Sequence, residues 1–233
     1  MKKLFLSALL LAVTTLAWAE EPADEKRLTL IPKLGVNYST TSLDSWVSKG
    51  VIDKPDVFGL VGPVGGLELE YSLKKKFSLS AALLYSMQGR KYDDLDSHLA
   101  AKNEGKIRDM IDATISTQRH HYINLPITAN YYVAEGLSLR LGVQIGCLVY
   151  KSGRQEWPYD HTYDSNPKRS IGNSPMKFDV GIPVGLSYAL KNGLQFDLRY
   201  IHGLTKISSS SGIIEEKNRV AQFTVGYRLN ILK

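Results

Sequence analysis

A two-residue alternation of apolar and polar side chains constrains the fold of this chain more than any other feature. It is clearest between Gly66 and Met87, on both sides of the basic residues 74–76. The apolar positions are Leu67, Leu69, Tyr71 and Leu73 before these lysines, and Leu79, Ala81, Leu83, Tyr85 and Met87 after them. A period of two places such residues on one face of a β-strand and their neighbours on the other. The segment is therefore predicted to form an antiparallel hairpin.

Eight segments with this alternation follow one another along the chain. They lie at about residues 28–38, 57–73, 77–89, 120–133, 137–149, 176–190, 194–204 and 218–232. Strands of roughly 9–15 residues are long for a soluble sheet and suit a tilted membrane crossing. The connections alternate between long and short, and the short connection at 191–193 contains Asn-Gly, a strong hairpin signal.

An even number of strands with alternately long and short connections is typical of outer-membrane barrels. Lipid offers the backbone no hydrogen bonds, so a membrane-spanning sheet must close on itself. We therefore predict an all-β fold, an eight-stranded antiparallel up-and-down transmembrane β-barrel with long outer loops and short periplasmic turns. The longest connections, residues 91–118 and 150–175, are predicted to be loops, the first of them partly helical.

The size of the side chains on the polar face indicates which face points outward. Most of them are small, namely Gly35, Ser78, Ser80, Ala82, Thr128, Ser138, Gly142, Gly146, Gly181, Gly185, Ser187, Thr224 and Gly226. Small residues suit the interior of a narrow barrel, whereas a soluble lipocalin-like barrel, the alternative, would carry long polar side chains on its exterior. The bulky face is predicted to contact lipid. Aromatic girdles are expected from Tyr71, Tyr85, Tyr131, Tyr188, Tyr200 and Tyr227.

The small-residue face also carries charged residues. They are Lys33, Glu68, Glu70, Arg140, Asp179, Asp197, Arg199 and Arg228, four basic and four acidic. Unpaired charges in a narrow lumen are costly, so we expect these groups to form salt-bridged networks. An eight-stranded barrel leaves a lumen that side chains fill. The charges are therefore interpreted as structural, with a proton or ion path as the alternative.

The N-terminus has the features of a secretory signal. Lys2 and Lys3 precede an apolar stretch, and residues 17–19 have the A-x-A form of a cleavage site. We expect residues 1–19 to be a signal peptide and residues 20–233 to be the barrel domain, with an uncleaved anchor as the alternative. Removing the two lysines leaves 27 basic residues of the 29, against 23 acidic ones, a net charge of about +4. This balance could favour phosphate-bearing lipid headgroups or other acidic partners, with a solvated basic surface as the alternative. Nucleic-acid binding is not indicated because the basic residues are scattered.

Several runs of sequence carry a family resemblance. They are VGGLELEYSLKKKFSLSAALLYSMQGRKY, YINLPITANYYV followed by LSLRLGVQIG, and the final FTVGYRL. These runs resemble the PorT-like outer-membrane β-barrel family of Bacteroidota over essentially the whole mature chain. Members of that family tend to end on an aromatic residue, whereas Leu229 is followed here by Asn-Ile-Leu-Lys. The resemblance implies a barrel architecture. One member group is associated with type IX secretion, a role that we do not transfer.

The sequence indicates no catalytic, metal or cofactor site. The five histidines are scattered, and His120 and His121 would point to opposite faces of a strand. His202 with residues 208–211, four serines, could suggest a surface lipid hydrolase, but such serines are typical of a flexible loop. The aromatic residues Trp157, Tyr159 and Tyr163, around His161, could contact a glycan or a protein, with packing of the long loop or a position at the lipid interface as the alternative.

We therefore expect a non-enzymatic outer-membrane barrel with a side-chain-filled lumen and a structural or binding role for its extracellular loops. The alternatives are an outer-membrane lipid- or lipopolysaccharide-modifying enzyme and a secretion-accessory barrel. The expected partners are outer-membrane lipids, the barrel-assembly machinery during insertion, and an unidentified extracellular or envelope protein or glycan. The single cysteine, Cys147, has the register of an apolar residue and is expected to act as a small hydrophobe.

Overall fold

The computed structural model describes residues 27–43, 56–93, 115–156, 162–163, 178–205 and 216–232. Ten strands occupy nearly all of them: β1 (Leu28–Leu43), β2 (Asp56–Lys74), β3 (Phe77–Asp93), β4 (Ile115–Ala134), β5 (Leu137–Glu156), β6 (Thr162–Tyr163), β7 (Phe178–Ala189), β8 (Leu194–Gly203), β9 (Glu216–Tyr227) and β10 (Leu229–Leu232). The short β6 pairs with the end of β5. β9 and β10 are two parts of the last barrel strand, interrupted at Arg228. Within the described ranges, no helix is long and apolar enough to span a membrane.

The sheet closes on itself. Each barrel strand pairs with its neighbour in the order β1-β2-β3-β4-β5-β7-β8-β9, and β9 and β10 pair with β1. All of these pairings are antiparallel. Lys33 illustrates the closure, because it lies opposite Gly66 of β2 on one side and opposite Gly226 of β9 on the other. The predicted fold, a closed eight-stranded antiparallel β-barrel, is confirmed.

The two ends of the barrel differ. One end, here called the turn end, carries the tight connections at 75–76, 135–136 and 190–193, as well as Arg27. The other end, the loop end, carries the long connections. At 190–193 the Gly193 N–H donates to Leu190 O at 3.0 Å, and Gly193 has a φ of 90°. β7 and β8 pair as an antiparallel hairpin across this connection, as the Asn-Gly pair predicted.

Several strands extend further toward the loop end than the sequence predicted. β1 continues to Leu43, β3 to Asp93 and β5 to Glu156, and β4 begins at Ile115. The parts of 91–118 and 150–175 that fall in these strands are therefore not loop. Apolar alternation ends where a strand leaves lipid, but backbone pairing continues because neighbouring strands still satisfy each other's hydrogen bonds. The helical part of the first loop was expected from the spacing of Met110, Ile111 and Ile115. Met110 and Ile111 lie outside the described residues, and the expectation is wrong for Ile115, which begins β4.

The distribution of exposure agrees with the predicted orientation of the two faces. Leu34, Leu83 and Leu198 are among the exposed large apolar side chains, whereas Ser80 and Glu68 are buried. Exposed tyrosines lie near both ends of the strands: Tyr71, Tyr188 and Tyr227 at the turn end, and Tyr38, Tyr85, Tyr150 and Tyr200 toward the loop end. Such girdles mark the two interfaces of a membrane-spanning barrel.

Candidate functional site: a buried ion network in the lumen

Seven of the eight charged residues predicted to face the lumen meet in one network, and glycines on adjacent strands provide the space for it. Gly185 of β7 lies in register between Arg140 of β5 and Arg199 of β8. Lys33 likewise lies beside Gly226 of β9. A glycine beside a long charged side chain leaves room for that side chain to cross the lumen.

Two carboxylates form the centre of the network. Glu68 accepts from Lys33 Nζ and from Arg140 Nη1, both at 2.7 Å. Asp197 lies 3.3 Å from Lys33 Nζ, 3.0 Å from Arg140 Nη1 and 3.1 Å from Arg199 Nη2. Arg199 Nη2 is also 3.6 Å from Glu68 Oε2. Each carboxylate is therefore in contact with three cations, and the contacts join opposite walls of the barrel.

Glu70 forms a second layer, closer to the turn end. It lies 3.3 Å from Arg140 Nη2 and 3.2 Å from Arg228 Nη1. It also accepts hydrogen bonds from Ser78 Oγ at 2.9 Å and from the Tyr132 hydroxyl. Arg140 thus connects this layer to the first layer, which is formed by Glu68, Asp197 and their cations.

The network contains one more cation than anions. Its members are Lys33, Arg140, Arg199 and Arg228 against Glu68, Glu70 and Asp197. Six of these side chains are no more than 2% exposed, and Arg228 is 20% exposed. Ions this deeply buried are stable only when they are paired and hydrogen-bonded. The ion pairs of the network therefore hold together strands on opposite sides of the barrel.

Asp179 is the exception among the eight residues. It faces inward on β7 but accepts from Asn218 Nδ2 at 2.7 Å and from the Thr205 hydroxyl. Asp197 lies opposite Ser187, eight residues along β7 from Asp179. At about 3.3 Å per residue this separation is roughly 26 Å along the strand. Alternation places a residue on a face, but it does not fix its height in the barrel, so Asp179 lies apart from the other seven charged residues.

Two members of the network were not anticipated from the sequence. Tyr132 bonds Glu70, and Gln195 Oε1 accepts from Arg228 Nη1 at 2.9 Å. Tyr132 lies within the run Tyr131-Tyr132-Val133, where alternation is interrupted by three large residues. The sequence signal for its inward position is that Tyr132 lies two residues after Asn130, whose side chain faces the lumen.

An apolar layer lies next to the network on its loop-end side. Val64, Ala82 and Leu84 are at most 3% exposed and form one cluster. Val64 precedes Glu68 by four residues on a strand that runs toward the turn end. Further out, Asn37 Nδ2 donates to Ser86 Oγ at 2.7 Å. Within the described strands, side chains thus follow one another along the lumen in charged, apolar and polar layers.

A cavity of about 830 Å³ opens at the turn end. Arg228 and Tyr132 line it and connect it to the network. Its remaining charged lining is mainly basic, with Arg27, Lys74, Lys75 and Lys191 against Glu135.

A family model described as "Outer membrane protein beta-barrel domain" matches residues 18–209. The chain belongs to this family. Membership supports a location in the outer membrane. No curated protein sequence matches the chain.

Solved structures with a similar fold include other outer-membrane proteins. Ail of Yersinia pestis is 12% identical, with a TM-score of 0.47 and coverage of 88% of this chain and 100% of that chain. OprG of Pseudomonas aeruginosa is 14% identical, with a TM-score of 0.41 and coverage of 90% and 98%. Neisserial surface protein A is 11% identical, with a TM-score of 0.43 and coverage of 87% and 97%. These similarities carry no information on function.

The other predicted sites lie largely outside the described residues. Trp157, Tyr159 and residues 208–211 fall there, and Tyr163 is described only through its backbone, in β6. His202 is exposed on the outer face of β8 and contacts Arg219. In the strands that the structure describes, no group of three His, Cys, Asp or Glu side chains is arranged to hold a metal ion.

Proposed function

We propose that this outer-membrane barrel is a non-enzymatic scaffold whose lumen is closed by side chains and whose extracellular loops perform a structural or binding role. The observation that carries the proposal is the ion network, which crosses the lumen. Arg140 of β5 contacts acids of both β2 and β8, strands on opposite sides of it in the sheet. A solute would have to break several buried ion pairs to pass this level.

The proposal includes a cleavable signal at residues 1–19 and insertion by the barrel-assembly machinery. It also includes the finer assignment to the PorT-like group, which rests on the sequence runs quoted above. Outer-membrane lipids are the proposed partners of the exposed apolar face, and an envelope protein or glycan is the proposed partner of the loops.

Conductance measurements test whether the lumen is closed. The purified, folded protein in a planar lipid bilayer should give no steady ion current. The variant Glu68→Ala, Leu84→Ala, Arg140→Ala and Asp197→Ala removes the centre of the network and the largest side chain of the adjacent apolar layer, and it should conduct. Heat-modifiable gel mobility confirms folding of both proteins before measurement. A steady current through the unsubstituted protein would refute a closed lumen.

Cross-linking in intact cells tests the proposed role of the loops. A photoreactive amino acid at Trp157 should capture an envelope or extracellular component, whereas the same amino acid at Lys75, in a periplasmic turn, should not capture that component. Equal capture at both positions, or none at Trp157, would contradict loop binding.

The enzymatic alternative is tested separately. Purified protein incubated with lipopolysaccharide and phospholipid should release no fatty acid. Release that is lost in a folded His202→Ala variant would establish the alternative.

A further inference from the structure

The cavity at the turn end has a strongly basic lining. Among the described residues, its charged side chains are five cations and one anion, namely Arg27, Lys74, Lys75, Lys191, Arg228 and Glu135. Lys191 lies 3.7 Å from Glu135, and both side chains are largely exposed. A surface ion pair of this kind is weak, so it removes little of the positive potential. Cations that line one concave surface attract an anionic ligand.

Arg228 belongs both to this lining and to the ion network in the lumen. Its contacts with Glu70, Tyr132 and Gln195 all use Nη1, at 3.2, 3.4 and 2.9 Å. In the described part of the chain its Nη2 and Nε atoms make no hydrogen bond, although both carry N–H donors. The side chain is 20% exposed and lines the cavity. These donors are therefore available to an anion in the cavity.

The charge of the ion network points to the same kind of ligand. Its four cations face three anions, and Arg228 is its most exposed member. The excess positive charge therefore lies close to the cavity and not at the sealed centre of the lumen. A carboxylate or another anion beside Arg228 would compensate this charge and reduce the cost of keeping it partly buried.

The size of the cavity and the spread of its cations favour an extended ligand. Its volume of about 830 Å³ lies in the range of pockets that hold drug-sized molecules and exceeds what one small anion fills. The cations come from separate parts of the rim: Lys74 ends β2, Lys191 lies between β7 and β8, and Arg27 precedes β1. A ligand with several negative charges along a chain can contact more of them than a single anion can.

The chain itself carries such a sequence next to the cavity. Residues 20–25, Glu-Glu-Pro-Ala-Asp-Glu, have four carboxylates and no basic side chain, and they lie outside the described residues. Only Lys26 separates this acidic segment from Arg27. The Arg27 carbonyl accepts from the Ser72 N–H at 3.0 Å, and both residues line the cavity. Six extended residues span about 20 Å, which is long enough to bring several carboxylates to the lining.

We propose that the acidic segment, residues 20–25, docks in the turn-end cavity and places its carboxylates against Arg228, Lys74 and the neighbouring cations. Each contact can be weak, because a short link keeps the segment at a local concentration of about 1 mM or more. The docked segment covers the end of the ion network and compensates its excess charge. This proposal concerns the end of the barrel opposite to the long loops, and it does not depend on whether the lumen is closed.

Cross-linking within protein isolated from cells tests the docking. Ala23→Cys with Ala189→Cys, in a Cys147→Ala background, pairs the middle of the acidic segment with the cavity lining. A short bismaleimide should join them about tenfold faster than in the same protein carrying Glu21→Gln, Asp24→Asn and Glu25→Gln, because several ion pairs are then lost together. Mass spectrometry verifies that both proteins have the same N-terminus. Equal rates would mean that the link alone holds the segment near the cavity, and they would overturn the proposal.

Substitutions in the lining test where the segment docks. Lys74→Gln with Lys191→Gln should slow the cross-linking severalfold, whereas Lys91→Gln with Lys217→Gln, which removes the same charge at the loop end, should not change it. Salt at about 1 M, where the screening length is about 3 Å, should also slow it. Equal effects of the two lysine pairs would overturn the cavity as the docking site.

Two further measurements complete the test. Gel mobility identifies folded samples, and if Ala189→Cys does not fold, Asn192→Cys, which also lines the cavity, replaces it. Phosphate and chloride at the same ionic strength should slow the cross-linking equally, since both act only by screening. A much stronger effect of phosphate would mean that the cavity binds phosphate in preference to the acidic segment, and it would overturn the proposal.

Discussion

Arg140 on β5 lies 2.7 Å from Glu68 on β2, and each side chain is only 2% exposed. Three strand pairings separate the two residues around the wall, so this contact crosses the lumen. The same guanidinium reaches Asp197 of β8 and Glu70 of β2. One arginine therefore connects three acids from two sides of the barrel, and the behaviour of variants should follow from the charge that each leaves behind.

Removal of an acid should cost more than removal of a base. Glu68→Gln leaves four cations facing two acids, whereas Arg140→Gln leaves three of each. An uncompensated buried charge costs about 3–5 kcal/mol. We expect a loss of that size in the free energy of unfolding for Glu68→Gln, and about 1–3 kcal/mol for Arg140→Gln, which loses hydrogen bonds to charged groups.

Urea titration in lipid vesicles, with the folded fraction followed by gel mobility, measures both losses. The double variant Glu68→Gln with Arg140→Gln should be less destabilised than the sum of the single variants, because the two residues are in contact. A loss for Arg140→Gln equal to or greater than that for Glu68→Gln would contradict the excess of positive charge.

The hydroxyl of Tyr132 should contribute to stability, whereas that of its neighbour Tyr131 should not. Tyr132 donates to buried Glu70. Tyr131 has the outward parity, and its ring is tilted against that of Phe77 with centroids 4.9 Å apart. A hydrogen bond to a charged group is worth about 1.5–3 kcal/mol. Tyr132→Phe should lose an amount in this range in the same urea titration.

Tyr131→Phe is the matched control, with the same atom removed one residue away on the other face. Its free energy of unfolding should stay within about 0.5 kcal/mol of that of the unsubstituted protein. Similar losses for the two variants would indicate that the hydroxyl of Tyr132 has no special partner.

Much of the fold followed from alternation, because parity determines the face of each residue once the sheet is closed. Parity placed Lys33, Glu70 and Arg228 in the lumen, and their closeness arises from the pairing of β1, β2 and the last strand. Parity could not predict the height of Asp179 along the barrel axis, since that height depends on the stagger between strands. That stagger is set by turn geometry and by the shear of the whole barrel.

The apolar pattern also could not predict where the strands end. Thr117 and Ser152 lie on strands outside the band of bulky residues, where neither face contacts lipid. Strand pairing in this region depends on backbone hydrogen bonds and requires no particular type of side chain. The sequence therefore gives only a weak signal of it. Turns were better predicted, because a left-handed conformation at Gly136 or Gly193 requires a particular residue.

Close packing of β4 against β5 should make Gly142 intolerant of a methyl group. A Cβ atom at this position would lie 2.0 Å from the backbone oxygen of Ile127. Backbone atoms of a closed sheet cannot move independently, so Gly142→Ala should cost about 1–3 kcal/mol of unfolding free energy. The folded fraction after refolding into vesicles should fall accordingly.

Gly146, on the same strand and face, provides the control. A Cβ there would meet the end of the Asn124 side chain at 2.6 Å, and that side chain can rotate away. Gly146→Ala should therefore refold nearly as well as the unsubstituted protein. Equal defects in the two alanine variants would contradict the close approach at Gly142.

The thiol of Cys147 should be shielded by lipid. It is a free cysteine on the outward face of β5, opposite Ile123 of β4 and Phe178 of β7. A charged reagent does not enter lipid, so its access to a lipid-facing thiol is blocked. In intact vesicles a charged, water-soluble maleimide should label Cys147 at least about tenfold more slowly than a thiol introduced by Lys75→Cys in a Cys147→Ala background. Unfolding in detergent and urea should make the two rates equal, since both thiols are then in water. Comparable rates in intact vesicles would mean that this face of β5 meets water, and the lipid-facing assignment of the bulky side chains would have to be reversed.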